Sequence, residues 1–270
     1  MLRETGTCAL AASSHWQGVL QRYAATDLAA TAKLAMTDRV DTKFVLRDAE
    51  LFAVLESLED DYRILDVDGA RFTPYRTQYF DTESFALFRR HHVGGSNRYK
   101  LRTRTYLNTG LSFIEVKRKT KNGATSKLRR RTNAFETELR GEARTFVDAH
   151  CTHGAAGMRP SLRNGFDRIC LVSSTRQERL TIDLDIVVET SSGSLHLPNI
   201  AVAELKQEKL AHGRRDSRFL REMRRIKVRP TGFSKYCIGL LLIQPEIKHN
   251  LFKPQLKMLR RLMGEPNVVC

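Results

Sequence analysis

Apolar and polar positions alternate with a period of two in a series of short stretches along the chain. "RVDTKFVL" (39–46), "YRTQYFDT" (75–82), "YKLRTRTY" (99–106), "LSFIEVKRKT" (111–120), "RLTIDLDIVVE" (179–189) and "IAVAELKQEK" (200–209) all read as strands. Turn signals such as "NTG", "KNG" and "SSG" lie close to them. Helical spacing appears in "DAELFAVLESLEDDY" (48–62), where Asp48 is the expected N-cap, in "ETELRGEARTFVDAH" (136–150) and in "DSRFLREMRRIKV" (216–228). Residues 16–35 have the weak periodicity of a loose helix, and the tail from 245 reads as a basic terminal helix. The chain has no internal repeat. The pattern predicts one α+β domain over 37–244, a 1–36 extension with helical character, and a basic helix or tail over 245–270.

Splitting each strand by face exposes the chemistry. In the first, Arg39, Asp41 and Lys43 oppose Val40, Phe44 and Leu46. In the third, Lys100, Arg102, Arg104 and Tyr106 oppose Leu101, Thr103 and Thr105. Glu115, Lys117 and Lys119 oppose Ile114 and Val116; Arg179, Thr181, Asp183 and Asp185 oppose Leu180, Ile182 and Leu184; Glu204, Lys206 and Glu208 oppose Ala203 and Leu205. One reading is a sheet with a core face and a solvent face. The stacking of cations favours another. Same-face neighbours lie roughly 7 Å apart and repel by about 2 kcal/mol at an effective dielectric near 20, so an anion or a facing carboxylate must offset them. A sheet curled with these faces inward makes a basic tunnel containing a few acids. Arg and Lys suit phosphate there, and the carboxylates suit Mg²⁺ or Mn²⁺ shared with phosphate oxygens.

Composition agrees with a polyanionic partner. The chain has 270 residues, with 46 Lys+Arg against 30 Asp+Glu and a formal charge of +16. Aromatic residues make up only 8%, which argues against a base-stacking nucleic-acid surface. Cys8, Cys151, Cys170, Cys237 and Cys270 show no metal-ligand spacing and read as reduced thiols of a cytoplasmic protein. The longest apolar run, "CIGLLLI" (237–243), is too short for a bilayer, and the first residues lack the apolar core of a signal peptide.

Eight stretches in order, "RVDTKFVL", "YRTQYFDT", "YKLRTRTY", "FIEVKRKT", "RPSLRNGFDRICLV", "RLTIDLDI", "AVAELKQEK" and "FSKYCIGL", resemble the VTC (vacuolar transporter chaperone) polyphosphate polymerase domain of the triphosphate tunnel metalloenzyme, or CYTH-like, superfamily. The resemblance spans about residues 37–241. It implies a closed antiparallel β-tunnel of eight strands with helices outside, a basic lining that binds ATP and growing polyphosphate, and Mn²⁺ or Mg²⁺ as cofactor. Lys43, Arg102, Arg104, Lys117, Lys127, Arg168, Arg179 and Lys235 match basic tunnel positions, Glu204 matches the metal-binding glutamate, and Ser234 and Tyr106 sit beside matched positions. Strand phase adds Lys100, Lys119 and Lys206 toward phosphate, and Glu115 and Asp183 toward metal.

"RVDTK" departs from the E-x-E-x-K that opens the wider superfamily, with Arg39 and Asp41 replacing two glutamates. That change tilts the expectation from hydrolase to polymerase, with transfer of the γ-phosphoryl of ATP to a polyphosphate chain. A tunnel hydrolase of triphosphate or polyphosphate and a non-catalytic polyphosphate binder remain as alternatives. The sequence-specific binding of nucleic acid is not expected, and the missing membrane segments of the fungal polymerase leave room for a separate membrane or regulatory partner. Plainer roles exist for single residues. Glu204 and Lys206 could be a cross-strand ion pair, Ser234 and Tyr236 a cap and a packing residue, His91–His92 part of a loop, and "KLRRR" (127–131) a tunnel mouth or solvated strand end.

Overall fold

The computed structural model describes residues 14–33, 39–95, 97–120, 124–208 and 217–264. In chain order the elements are α1 (Ser14–Arg22), β1 (Ala25–Thr26), α2 (Leu28–Lys33), β2 (Arg39–Arg47), α3 (Asp48–Glu56), β3 (Tyr62–Leu65), β4 (Thr73–Thr82), α4 (Ala86–His92), β5 (Arg98–Tyr106), β6 (Ser112–Lys119) and β7 (Thr125–Thr132). They continue with α5 (Gly141–His150), β8 (Met158–Ser173), β9 (Glu178–Thr190), β10 (Gly193–Leu197), β11 (Ile200–Glu208), α6 (Arg218–Arg225), α7 (Lys235–Ile243) and α8 (Lys253–Met263). Eight strands form a continuous antiparallel path, β2-β11-β9-β8-β4-β5-β6-β7, curled into a half-barrel. Off this path, β3 pairs with β8, β10 with β9, and β1 runs parallel to β3.

The alternation of the strands decides which face meets the helices. Outward Phe44, Leu46, Leu180, Ile182, Ala203 and Leu205 pack under α1, α3 and α6, which contribute Trp16, Leu20, Leu51, Leu55, Phe219 and Met223. Further round the sheet, Leu101, Ile114 and Val116 pack under Val147 of α5. The concave face holds a third core at one end, where α7 and α8 lie against Val45, Tyr79, Leu162, Ile186, Val188 and Val202. The segments flanking 37–244 are therefore part of the packing: α1 closes the first core and α8 the third.

Two buried carboxylates fasten this arrangement. Asp81 accepts the backbone N–H groups of Leu87 and Phe88 at 2.8 and 2.9 Å and the Tyr236 hydroxyl at 2.6 Å, so β4, α4 and α7 meet at one side chain. Glu178 accepts from Tyr62, from Gln207 at 2.8 Å and from Ser217 at 3.2 Å, joining β9 to β3, β11 and the start of α6.

The expected ring is not closed by strand pairing. Among the described residues β2 and β7 share no ladder, and the chain leading into α7 lies along the β2 edge instead, with Thr231 N–H donating to the Lys43 carbonyl at 2.9 Å. Other boundaries also differ. The N-cap of α3 is Arg47, whose N–H is accepted by Glu50 at 2.9 Å, and Asp48 is already helical. That helix stops at Glu56 because Tyr62–Leu65 is needed as a strand beside β8. The described part of 16–35, residues 16–33, divides into α1, β1 and α2, and His91–His92 end helix α4 instead of lying in a loop. The "KNG" turn, Cys8 and Cys270 fall outside the described residues.

The third core depends on a close approach at Gly239. A Cβ there would meet Val188 Cγ1 at 2.8 Å and Leu162 Cδ1 at 3.1 Å, with little room to yield. Overpacking typically costs about 1–3 kcal/mol, against up to about 1 kcal/mol gained from alanine's helix propensity. Gly239→Ala should therefore destabilise the protein by about 1 kcal/mol, read as a lower urea midpoint with an unchanged m-value.

Candidate functional site

The inward faces of the strands bring the charged positions together. Lys43 comes from β2, Glu204 and Lys206 from β11, Arg179 and Asp183 from β9, Arg168 from β8, Lys100, Arg102 and Arg104 from β5, Glu115 and Lys117 from β6, and Lys127 from β7. Cross-strand register sets Glu204 beside Lys43, Lys206 beside Arg179, Arg168 beside Asp183, Arg102 beside Glu115, and Lys117 between Lys100 and Lys127. The N-terminus of α7 adds Ser234, its N-cap, and Lys235.

Three carboxylates divide this charge in the same way. Arg102 donates to Glu115 at 2.6 Å while Lys127 holds the other oxygen. Arg168 engages both oxygens of Asp183, at 2.5 and 2.8 Å, and Lys235 joins it. Glu204 is held between Lys43 across the ladder and Lys206 of its own strand, so the Glu204–Lys206 ion pair forms along β11 and not across strands as expected. Burial alone would raise each carboxyl's pKa. The paired cations outweigh it and hold all three well below the usual carboxylate range.

The remaining cations have neutral neighbours or none. Lys100 donates to Ser234 Oγ at 2.8 Å, and Arg104 donates to Thr77 Oγ1 at 3.3 Å. Lys117 and Arg179 make no ion pair among the described residues, and the buried Arg179 Nε has no acceptor. Burial, followed by the charge of Lys100, lowers the Lys117 ammonium to about 8, although the side chain stays open to water. Lys127 is also lowered to about 8 by burial, against the pull of Glu115. Burial lowers Lys100, Lys206 and Lys235 in the same direction. The face is short of anions: Lys43, Lys100, Arg102, Arg104, Lys117, Lys127, Arg168, Arg179, Lys206 and Lys235 surround Glu115, Asp183 and Glu204, with Asp41 as a more distant fourth carboxylate 3.6 Å from Lys206.

An aromatic floor orients the guanidinium groups, and the sequence reading missed it. Tyr75 and Phe166 stack with centroids 5.0 Å apart, and the guanidinium carbons of Arg104 and Arg168 lie 4.9 and 5.0 Å from the Tyr75 ring. Lys235 Nζ lies 4.4 Å from the Phe166 ring. Tyr106 packs on Tyr75 at 4.8 Å and Tyr79 on Tyr236 at 5.1 Å, so Tyr236 both packs and anchors to Asp81. The available signal was phase, since Tyr75, Thr77 and Tyr79 alternate together in β4.

Several expectations meet the geometry differently. Lys119 is exposed at the end of β6. "KLRRR" belongs to the exposed edge strand β7, where Arg129 lies 4.9 Å from the Phe113 ring and Arg130 pairs with Glu142. His91 packs its Nδ1 3.1 Å from Cys237 Sγ, and burial lowers its pKa to about 3, so the imidazole is neutral. No three His, Cys, Asp or Glu side chains cluster as a metal cage among the described residues. Glu115, Asp183 and Glu204 present separate carboxylates, each engaged by cations at both oxygens. Such a donor set fits a hard divalent ion only if phosphate oxygens complete the shell and draw a lysine away.

The profile of the VTC domain matches residues 38–244. The chain belongs to the VTC domain family. No curated protein matches it. Among solved structures, the VTC domain is similar at 11% identity to a candidate adenylate cyclase of Bacillus halodurans, over 73% of this chain and 94% of that one, with a TM-score of 0.46. A candidate adenylyl cyclase of Hippeastrum, described as having a dominant triphosphatase activity, is 12% identical over 74% and 95%, with a TM-score of 0.41. The PH1012 protein of Pyrococcus horikoshii is 12% identical over 85% and 92%, with a TM-score of 0.36. These likenesses are too distant to add to the family match. No helix among the described residues is long and apolar enough to cross a membrane.

Asp183 tests the electrostatic frame of the VTC domain. Asp183→Asn would leave Arg168 and Lys235 buried without their anion and should cost about 3–5 kcal/mol. Because the folded pKa of Asp183 is depressed, its contribution is complete above the unfolded value near 4 and is lost as pH falls from there. Denaturant unfolding across the acid range should show a shallower loss of stability in the variant.

Proposed function

We propose that this VTC domain transfers the γ-phosphoryl group of ATP to the end of a polyphosphate chain lying along the concave face. The observation that carries the reading is the excess of inward cations over carboxylates, with Lys100, Arg104, Lys117 and Arg179 left without a carboxylate partner. A chain of phosphates supplies the missing charge at regular spacing.

An oxygen of the terminal chain phosphate attacks the γ-phosphorus, the bond from that phosphorus to the β–γ bridging oxygen breaks, and ADP leaves with the electron pair. The attacking oxygen is already ionised, so no general base is required. Arg102, Arg104 and Lys117 grip the transferring group and its neighbours, and they offset the charge that develops as the bond breaks. Arg102 is held for this by Glu115, and Arg104 by Thr77 and the Tyr75 ring. Lys43, Lys127, Arg168, Arg179 and Lys235 hold the rest of the chain, with Lys100, Lys206, Ser234 and Tyr106 beside them. Glu204, with Glu115 and Asp183 as further carboxylates, would hold Mg²⁺ or Mn²⁺ together with phosphate oxygens, adding charge neutralisation when bound. With ATP as donor and cysteines that read as reduced thiols, we assign the reaction to the cytoplasm.

Incubation with γ-labelled ATP and Mn²⁺ should yield a ladder of polyphosphate on a gel. Arg102→Ala should lower the rate by about 10²–10³, and Glu204→Gln should abolish the ladder. Free phosphate without a ladder would assign a hydrolase. Tight polyphosphate binding without turnover, retained in Glu204→Gln, would assign a binding module.

Binding should also be linked to protons. Phosphate raises the lowered pKa values of Lys117 and Lys127, so tripolyphosphate binding takes up protons as pH rises past about 8, and affinity falls through the same range. Calorimetry near pH 9 in two buffers of different ionisation enthalpy should show this uptake, reduced in Lys117→Met.

A further inference from the structure

A second group of cations lies outside the half-barrel and leads to its edge. On α6, Phe219 and Met223 are buried in the core while Arg221, Arg224 and Arg225 are exposed. Glu222, the one carboxylate of that helix, is buried and held by Arg218 and Arg225. Lys227 and Arg229 follow and are exposed. Arg224, Lys227 and Arg229 have no ion pair among the described residues. The backbone fixes the course of this segment: Lys227 N–H donates to the Arg224 carbonyl at 3.0 Å, Val228 to Met223 at 2.9 Å, and Thr231 to Lys43 at 2.9 Å. Arg229 is thus within about 7 Å of chain from the residue that touches the β2 edge, and Lys43 of that strand points into the site.

Lys227 adds an independent sign. It ends α6 with φ of 60°, in the left-handed region where glycine is the usual residue. A lysine there carries a conformational cost that no side-chain hydrogen bond or ion pair offsets among the described residues.

We infer that Arg224, Lys227 and Arg229 form an external track that holds the part of a long linear polyphosphate chain extending beyond the concave face. This deepens the phosphate-chain reading and rests on it. Charge complementarity selects the occupant. None of the exposed large hydrophobic residues, Leu28, Val40, Val93, Leu128 and Leu251, lies on α6 or in 226–233, which counts against a lipid bilayer. Phe219 and Phe233, the aromatic residues of this region, are buried, so no platform is offered to nucleic-acid bases.

The test compares tripolyphosphate, short enough to stay on the concave face, with long-chain polyphosphate, using the full chain and the variant Arg224→Ser/Lys227→Gly/Arg229→Ser. Long-chain affinity should fall about tenfold, and its log–log salt slope should shrink by about 2, as expected for three lost phosphate contacts on a single strand. Tripolyphosphate affinity should stay the same. Lys227→Gly alone should raise the melting temperature while weakening long-chain binding, which separates binding from folding. Unchanged long-chain affinity, or an equal loss for both ligands, would overturn the track and leave the concave site standing. A loss confined to anionic phosphatidylserine vesicles or single-stranded RNA would overturn it in favour of that partner. If the wild type binds neither phosphate ligand, the concave-site reading itself fails, and the track with it.

Discussion

The structure depends on how repulsion among inward-facing cations is contained. Lysines and arginines at successive same-face positions repel by about 2 kcal/mol per neighbouring pair before screening, and burial adds to that cost. The chain answers with three carboxylates, each placed between two cations and contributed by three different strands. Glu115, Asp183 and Glu204 neutralise part of the charge and fix the direction of the side chains that carry it. Aromatic rings complete the support, since Tyr75 and Phe166 give Arg104 and Arg168 a flat surface that does not compete for their N–H groups. The remaining imbalance is what makes the face receptive to an extended anion.

The rest of the fold serves that face. Three helices on one outer flank and α5 on the other bury the opposite side of the strands, which fixes their register and therefore which side chains point inward. At one end α7 enters the concavity, held through Tyr236 on Asp81, with its N-cap Ser234 facing Lys100. A single serine therefore closes a helix end and meets a phosphate candidate. The cap reading and the site reading of Ser234 meet at one oxygen, which accepts from Cys237 N–H and from Lys100 Nζ.

Much of this was legible in the sequence because strands divided between an apolar helix-facing side and a charged side leave a strict period of two. The faces of β2, β5, β6 and β11, and of β9 as far as Leu184, follow from alternation alone, and Lys43, Arg102, Arg104, Glu115 and Glu204 follow with them. At Asp185, with φ of 50°, an extra residue in β9 shifts the phase, so Ile186 and Val188 turn inward and Asp185 meets His196 instead of joining Asp183. β8 did not announce itself. Its inward residues Leu162, Asn164, Phe166 and Arg168 keep a period of two but mix apolar and charged types, because the strand passes from the α7 core to the basic region. The aromatic floor was hidden for the same reason, since a buried tyrosine under an arginine has the pattern of an ordinary core residue. The pairing of each carboxylate with two cations depends on neighbours far apart in the chain, such as Asp183 and Lys235, and no local pattern encodes it.

A crystal structure with a non-hydrolysable ATP analogue tests the central claim most directly. The account predicts the triphosphate on the concave face, with its oxygens within hydrogen-bond distance of Arg102, Arg104 and Lys117. A triphosphate bound only on the outer surface, with the inward cations still paired as they are now, would contradict it.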